Sequence, residues 1–201
     1  MIKVIAFDLG GVLFAEGKSF LAEKLKKETN YDSNLVVNIL KSSKSIDLRK
    51  GLLTDKEFWN WVQEQLPESY DSQLIKKMWY DSYLLDENIF ALIKKLHGKI
   101  KLIVFSGNIK SRIEYLDKKY GFRKLFDREV YSFDFHLNKP DRTFLEVMIR
   151  EAGAEPNEIA YIDDNVGDAV FAKELGVNLI IYSRGKMDQL QKELRKLGVD
   201  L

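Results

Sequence analysis

A few polar residues stand next to apolar runs or candidate helices. Their carboxylate, hydroxyl and amino groups are of the types that bind ions. Asp8 follows an apolar run and precedes two glycines, which let backbone N–H groups come close to a ligand. Further groups stand later in the chain, namely Ser106-Gly107-Asn108, Lys139 before Pro140, and Asp163-Asp164 with Asp168. Carboxylate oxygens are ligands that Mg²⁺ prefers, while a hydroxyl, a lysine and free N–H groups can bind phosphate. These residues could hold a phosphate beside a magnesium ion.

The elements that must bring these groups together are the strands of a parallel sheet. Five apolar runs predict strands, at residues 3–7, 101–105, 129–132, 159–162 and 178–182. Apolar positions of helical period predict helices between the later strands and after the last, at residues 87–97, 110–119, 141–151, 166–175 and 187–197. Asp86 is a candidate N-cap and Gly176 a candidate C′ glycine. Alternating strands and helices favour a parallel α/β sheet, in which ligands bind at the carboxyl ends of the strands.

One connection is much longer than the others. More than 90 residues separate the first two predicted strands, and most of them have helical patterns. Asp32 and Asp71 are candidate N-caps, and Thr54-Asp55-Lys56-Glu57 is a capping box. So many helices exceed a single crossover, and we expect residues 16–84 to form a helical domain inserted into a core of residues 1–15 and 85–201.

Composition excludes several classes of function. The chain has 201 residues, 45% hydrophobic and 12% aromatic, which is typical of a globular protein. Its net charge of +1 provides no basic field for nucleic acid, and its apolar runs are too short to cross a bilayer. The absence of cysteine excludes disulfides and a cysteine nucleophile, and the N-terminus lacks a signal-peptide pattern. We expect a cytoplasmic monomer or weak homodimer with a small-molecule substrate and neither nucleic acid nor membrane as a partner.

The order of these motifs resembles that of the haloacid dehalogenase-like (HAD) hydrolase superfamily, over essentially the whole chain. The resemblance rests on Asp8-Leu9-Gly10-Gly11-Val12, Ser106, Lys139 and Asp163-Asp164 with Asp168, in this order. It implies a Rossmann-like three-layer core with a parallel sheet of order 5-4-1-2-3 and an inserted α-helical cap. It also implies a phosphatase, with Mg²⁺ as the cofactor.

The resemblance assigns a role to each motif residue. Asp8 resembles the nucleophile that forms an aspartyl-phosphate, and Asp8, the carbonyl of Gly10 and Asp164 would bind Mg²⁺. Asp163 and Asp168 would orient metal-bound water or Lys139. Substrate would be bound by Ser106 and Lys139 together with the neighbouring groups Leu9, Gly107 and Asn108, although Asn108 could instead cap the next helix.

Position 10 departs from the family pattern. Phosphatases of the family usually have a second Asp two residues after the nucleophile, and this residue acts as general acid and base, a contribution of about 10²–10⁴-fold. Gly10 has no side chain to do this. Three interpretations follow, namely a phosphatase for substrates with good leaving groups, a weakly active or inactive binding module, and a 2-haloacid dehalogenase. The dehalogenase branch typically has Tyr at this position.

Other residues near the motifs are secondary candidates. Glu16 could substitute for the missing acid, whereas His136 is expected to be a solvent-exposed loop residue and His97 to interact with a helix C-terminus. The aromatic residues of the insertion are expected to be mainly core, with one or two facing the substrate cleft, and are Trp59, Trp61, Trp79, Tyr80 and Tyr83.

Overall fold

A five-stranded parallel sheet organises the computed structural model, which describes residues 1–15 and 17–201. The strands are β1 Val4–Phe7, β2 Lys101–Ser106, β3 Arg128–Tyr131, β4 Ile159–Asp163 and β5 Asn178–Ile181. Their order is β3-β2-β1-β4-β5, which confirms the predicted order counted from the other edge. In the register, Phe7 lies beside Val104 on one side and Ile162 on the other, so that Asp8 emerges between the ends of β2 and β4.

In the described part of the connection from β1 to β2 there are six helices. They are α1 Gly17–Glu28, α2 Ser33–Leu40, α3 Ser43–Arg49, α4 Asp55–Gln65, α5 Ser72–Asp81 and α6 Glu87–Leu96. The predicted caps form, since Asp32, Asp71 and Asp86 each accept from backbone N–H groups and Thr54 makes a capping box with Glu57. For the segments of α1 and α3, the sequence had suggested no defined pattern of apolar positions.

The remaining helices follow the later strands. They are α7 Lys110–Tyr120, α8 Ser132–Phe135, α9 Arg142–Ala152 and α10 Met187–Lys196, with 3-10 turns at Arg123–Leu125 and Pro156–Glu158. Alternate residues of β1 enter two apolar clusters on opposite faces of the sheet. Ile5 and Phe7 pack with residues of α6, α7 and α10, whereas Val4 and Ala6 pack with residues of α9. The result is the expected three-layer α/β core.

The prediction of a helix at residues 166–175 is wrong. Residues 166–176 form a series of turns, in which the N–H of Ala172 bonds the carbonyl of Ala169 at 2.9 Å. At the start of this segment the side chain of Asn165 accepts from the N–H of Gly167 at 2.9 Å. Such a local side-chain bond competes with the first helical turn, and glycine weakens it further. Gly176 does adopt the left-handed conformation expected of it, with φ 80°.

The chain leaves the sheet layer and returns to it at adjacent points. Phe14 forms an antiparallel bridge with Leu85, and the N–H of Ala15 donates to the carbonyl of Leu84 at 2.8 Å. The N–H of Asp86 donates to the carbonyl of Leu13, also at 2.8 Å. Helices α1 to α5 therefore lie in one excursion whose two ends are hydrogen-bonded to each other. None of the described helices combines the length and the apolar character that crossing a bilayer would require.

Candidate active site

A cavity of about 370 Å³ lies at the carboxyl ends of β1, β2 and β4. It brings together eight residues that the sequence nominated, namely Asp8, Gly10, Ser106, Gly107, Asn108, Lys139, Asp164 and Asp168. Six further residues line it, namely Ile46, Arg49, Tyr83, Arg112, Asn138 and Asn165. The remaining two nominated residues, Leu9 and Asp163, are buried beside the cavity.

Lys139 forms the centre of a buried charge network. Its Nζ lies 3.2 Å from Oδ1 of Asp8 and 2.8 Å from Oδ2 of Asp163, and its side chain is 5% exposed. The same Nζ lies 4.8 Å and 5.2 Å from the ring centroids of Phe105 and Tyr161. Burial alone would lower the pKa of Lys139, but the two carboxylates outweigh it and raise that pKa. Lys139 is therefore a fixed cation held against Asp8.

Asp8 is held in one orientation at the end of β1. Its N–H donates to the carbonyl of Ile162 at 2.9 Å, which continues the pairing of β1 with β4. Burial raises the pKa of the Asp8 carboxyl to about 6, although Lys139 lowers it, and hydrogen bonds from the Ser106 hydroxyl and the Leu9 N–H also lower it. Asp8 is thus a desolvated carboxylate whose negative charge the surrounding protein compensates in part.

Three carboxylates meet the geometric requirement of a cation site. Asp8, Asp163 and Asp164 each offer an oxygen, and these oxygens all lie within 4.8 Å of one another. Desolvation, followed by repulsion from Asp8 and Asp163, raises the pKa of Asp164 to about 7. Acidic oxygens this close together, with their charge only partly compensated, fit a hard divalent cation such as Mg²⁺.

The carboxylates of this cluster differ in how many hydrogen bonds their oxygens already accept from the protein. Oδ2 of Asp163 accepts from Lys139 and from the hydroxyl of Tyr161, and its Oδ1 accepts from the N–H of Asn165 at 2.8 Å. Asp164 is exposed on the cavity side. Asp163 therefore has the hydrogen bonds of a positioning group, whereas Asp164 is available to a ligand. Asp168 is half-buried, and burial raises its pKa while Lys139 opposes the rise.

At two glycines, polar side chains approach the backbone more closely than a Cβ would allow without a shift. Gly11 has φ 78°, and a Cβ built there would overlap the carboxylate of Asp164. A Cβ on Gly107 would lie 2.5 Å from Oδ1 of Asn138. Gly10 differs from both, because a Cβ there would have no atom of the described residues within 4 Å. The space next to Gly10 is large enough for a side chain.

Arg49 and Arg112 were missed by the sequence analysis. Arg112 is 1% exposed, and its Nε donates to Oδ1 of Asn108 at 2.8 Å. The same oxygen of Asn108 also accepts from the N–H of Ile109. The N-cap of α7 is Ile109, so Asn108 does not occupy the cap position that was its alternative role. Arg112 stands four residues after Asn108, so the one-turn spacing from a nominated residue was an available signal. Arg49 had no such signal, because its place in the cavity depends on how α3 packs.

The sequence patterns did not point to Tyr161, and they did not single out Tyr83 among the aromatic residues of the insertion. Tyr161 was not singled out, although it stands two residues before Asp163 on β4 and so shares its face of the sheet. Tyr83 faces the cavity, as one or two aromatic residues of the insertion were expected to do. Three of the others, Trp59, Trp79 and Tyr80, are buried in the core, and Trp61 packs against it partly buried.

The remaining secondary candidates lie away from the chemistry. His136 is exposed, as expected, with its Nδ1 2.8 Å from the carbonyl of Lys50, and its φ of 57° is left-handed. His97 is the C-cap of α6, and its ring contacts the carbonyl of Leu125 at 3.0 Å. Glu16, the candidate substitute acid, lies outside the residues that the structure describes.

The fold and this site together define the class of protein. Residues 2–176 match the model of the haloacid dehalogenase-like hydrolase family, and the chain belongs to that family. An uncharacterised protein of Dictyostelium discoideum is 41% identical, over 98% of this chain and 97% of its own length. Enolase-phosphatase E1 of Aquifex aeolicus is 26% identical, over 90% of this chain and 89% of its own length.

A solved structure shows the same fold. It is that of a HAD family enzyme of Bacteroides thetaiotaomicron in complex with magnesium and inorganic phosphate. The superposition has a TM-score of 0.78 and covers 92% of this chain and 96% of that one, with 23% sequence identity. At this identity the likeness establishes the shared fold.

Proposed function

We propose that this chain is a Mg²⁺-dependent phosphatase that hydrolyses a small phosphorylated metabolite through an aspartyl-phosphate on Asp8. The observation that carries the proposal is the position of Asp8, a buried carboxylate 3.2 Å from Nζ of Lys139 at the floor of the cavity. An oriented and partly desolvated carboxylate is a suitable nucleophile. The size of the cavity suits a small metabolite.

The residues around Asp8 would divide the reaction into two displacements. A carboxylate oxygen of Asp8 attacks phosphorus, and the bond from phosphorus to the leaving oxygen breaks. Water then attacks the phosphorus of the acyl-phosphate, which releases inorganic phosphate and restores Asp8. Lys139, the Ser106 hydroxyl and nearby backbone N–H groups would stabilise the charge on the phosphoryl oxygens throughout.

Mg²⁺ would be held by Asp8 and Asp164, two members of the carboxylate cluster, together with the backbone carbonyl of Gly10. When bound, the ion would supply charge stabilisation at the phosphoryl oxygens. Asp163 would orient Lys139 through their 2.8 Å contact. Asp168 lines the same cavity and would hold a water molecule of the metal shell.

The absence of a carboxyl group at position 10 would restrict the leaving groups. Without a general acid there, the leaving oxygen departs as an anion or takes its proton from solvent. Sugar 1-phosphates and acyl phosphates, whose leaving groups are more stable anions, would therefore be hydrolysed faster than alkyl monoesters. Equal or faster rates on glycerol phosphate would refute this preference.

Residues 16–84 would serve as a cap that closes the cavity and selects the substrate. The described part of this segment contributes Ile46, Arg49 and Tyr83 to the cavity wall. It also contacts the core, since the Ser132 hydroxyl donates to the carbonyl of Arg49 at 2.6 Å. The adjacent crossings at Ala15 and Leu84 would form its hinge.

Two alternatives make different predictions. A weakly active binding module would bind ligand without turnover, but the connected network of Lys139, Asp8 and Asp163 is what an active site requires. A 2-haloacid dehalogenase needs no proton donor, and so is compatible with Gly10. The cytoplasmic location and the monomeric or weakly dimeric state stay predictions from the sequence.

The test is a panel of sugar, acyl, alkyl and nucleotide phosphates assayed with Mg²⁺. Wild type is compared with Asp8→Asn and with Asp200→Asn, a matched change at an exposed position. We expect turnover that falls by about 10⁴-fold or more in Asp8→Asn, as for loss of a nucleophile, and is unchanged in Asp200→Asn. Absence of turnover on every phosphate would contradict the proposal, and release of halide from 2-haloacids would then support the dehalogenase.

A further inference from the structure

Two arginines line the cavity without a carboxylate partner. No ion pair joins Arg49 or Arg112 to an acidic side chain among the residues that the structure describes. Within the same described residues, Nη1 of Arg112 and Nε of Arg49 are buried and have no hydrogen-bond partner. Arg49 is half-buried, and its charge opposes the rise that burial causes in the pKa of Asp168 in the same cavity. Arg112 is buried, and a buried guanidinium without a contacting counter-charge is costly to a fold.

Arg112 is nevertheless held firmly in place. Its guanidinium carbon lies 4.1 Å from the ring centroid of Tyr83 and 4.8 Å from that of Trp79. Its Nε is fixed by Asn108 at 2.8 Å. The planar group is therefore oriented by an amide on one edge and aromatic rings against its faces, which leaves N–H donors for a ligand.

The two arginines come from different parts of the chain. Arg112 lies on α7, directly after the Ser106 motif, and Arg49 is the last residue of α3 in the inserted segment. Burial lowers the pKa of Arg112, and the positive charge of the nearby Arg49 lowers it further. Two cations brought together in one cavity wall indicate a site for an anion.

We propose that Arg49 and Arg112 bind a second anionic group of the substrate. The substrate would then be a small phosphomonoester that carries, in addition to its phosphate, a carboxylate or a second phosphate. The inference rests on the proposed function, which places the first phosphate at Asp8 and Lys139. Guanidinium groups suit this role because their parallel N–H donors match the oxygens of either anion.

The two anionic groups of the substrate would occupy different parts of the cavity. The phosphate to be removed would lie at the carboxyl end of β1. The second anion would lie against α7 and the end of α3, where it would also connect the core to the inserted segment. A substrate without a second anion would leave both guanidiniums unpaired in the complex.

A binding experiment with non-hydrolysable phosphonates tests the inference without requiring turnover. The probes are phosphonoacetate, 3-phosphonopropionate and 4-phosphonobutyrate, each paired with the alkylphosphonate of the same chain length. The bisphosphonates of the same chain lengths are measured beside them. Dissociation constants are measured calorimetrically with Mg²⁺ for wild type, Arg49→Gln, Arg112→Lys and Arg195→Gln, the last an exposed arginine remote in sequence.

We expect at least one carboxyalkylphosphonate to bind wild type about tenfold or more tightly than its partner. Arg49→Gln should lose most of this preference, while Arg195→Gln should retain it. Arg112→Lys keeps the cation but loses the oriented donors, so the preference should be reduced. If Arg112→Lys fails to fold, Arg49→Gln alone decides.

The outcomes separate the two proposals. Equal affinities within every pair, or a preference that persists in Arg49→Gln, would overturn the second-anion site while leaving the phosphate site in place. Failure of every phosphonate to bind in the presence of Mg²⁺ would overturn the proposed function, and the inference would fail with it. A preference for bisphosphonates over carboxyalkylphosphonates of equal length would identify the second group as a phosphate.

Discussion

The two ends of the cavity carry opposite charges, and the fold compensates them differently. At the acidic end, defined by Asp8, Asp163 and Asp164, Lys139 lies within 3.2 Å of the two buried carboxylates. At the arginine end, defined by Arg49 and Arg112, the guanidinium of Arg112 contacts an amide oxygen and aromatic rings. The protein thus supplies a counter-charge where it needs an oriented carboxylate, and leaves a positive charge where we propose that a ligand supplies the anion.

Removing the cation of the acidic end should have a large effect. Lys139→Met would leave Asp8 and Asp163 buried without a counter-charge and would remove a phosphoryl-binding group. We expect turnover to fall by about 10³-fold and the free energy of unfolding to fall by about 3 kcal/mol. Phosphatase assays and urea unfolding at neutral pH measure the two effects.

The control for this variant is Lys192→Met, at an exposed position on α10. Its activity and stability should both match wild type. If Lys139→Met were as stable and as active as the control, the charge network at the acidic end would have no role in either property.

A smaller change at the acidic end should weaken the binding of the metal. In Gly11→Ala the new Cβ would displace the carboxylate of Asp164, and the affinity for Mg²⁺ should fall by about 10–100-fold, as for other losses of ligand orientation. Titration calorimetry with Mg²⁺ measures this.

Gly98→Ala is the matched control. Gly98 has φ 75°, close to that of Gly11, but a Cβ there meets no atom within 4 Å. Both variants should lose about 1 kcal/mol of stability from the left-handed conformation. An equal loss of Mg²⁺ affinity in both would show that backbone strain, rather than the position of Asp164, is responsible.

Between the two ends, Gly10 offers space in which a general acid can be tested. Gly10→Asp would place a carboxyl group in an open part of the cavity. We expect turnover of alkyl phosphates to rise about tenfold, towards the lower limit of a general acid's contribution, with a smaller change for acyl phosphates. Rates on the two substrate classes that change by the same factor would contradict the leaving-group argument.

The sequence predicted the acidic end better than the arginine end for a physical reason. Asp8, Ser106 and Asp163 stand at the ends of short apolar runs, and a parallel sheet brings such ends together whatever the loops do. The capped helices followed from equally local signals, whereas the strand order came from the resemblance to the family. Lys139 was found through its place before a helix.

The arginine end depends on packing between separate segments. Arg49 reaches the cavity because α3, which had no clear apolar pattern, packs near α8, where the Ser132 hydroxyl donates to the carbonyl of Arg49. Nothing local in the sequence around Arg49 encodes that contact. The turns at residues 166–176 were missed for a related reason, since apolar periodicity indicated a helix where the local bonds of Asn165 favour turns.

Trapping a phosphate mimic at Asp8 tests the claim that Asp8 is a Mg²⁺-dependent nucleophile. Wild type, Asp8→Asn and Asp200→Asn are incubated with fluoroberyllate, with and without Mg²⁺, and the bound fluoride is observed by ¹⁹F NMR. We expect a bound signal in wild type and Asp200→Asn that requires Mg²⁺, and none in Asp8→Asn. A signal that persists in Asp8→Asn, or none in wild type, would contradict the claim.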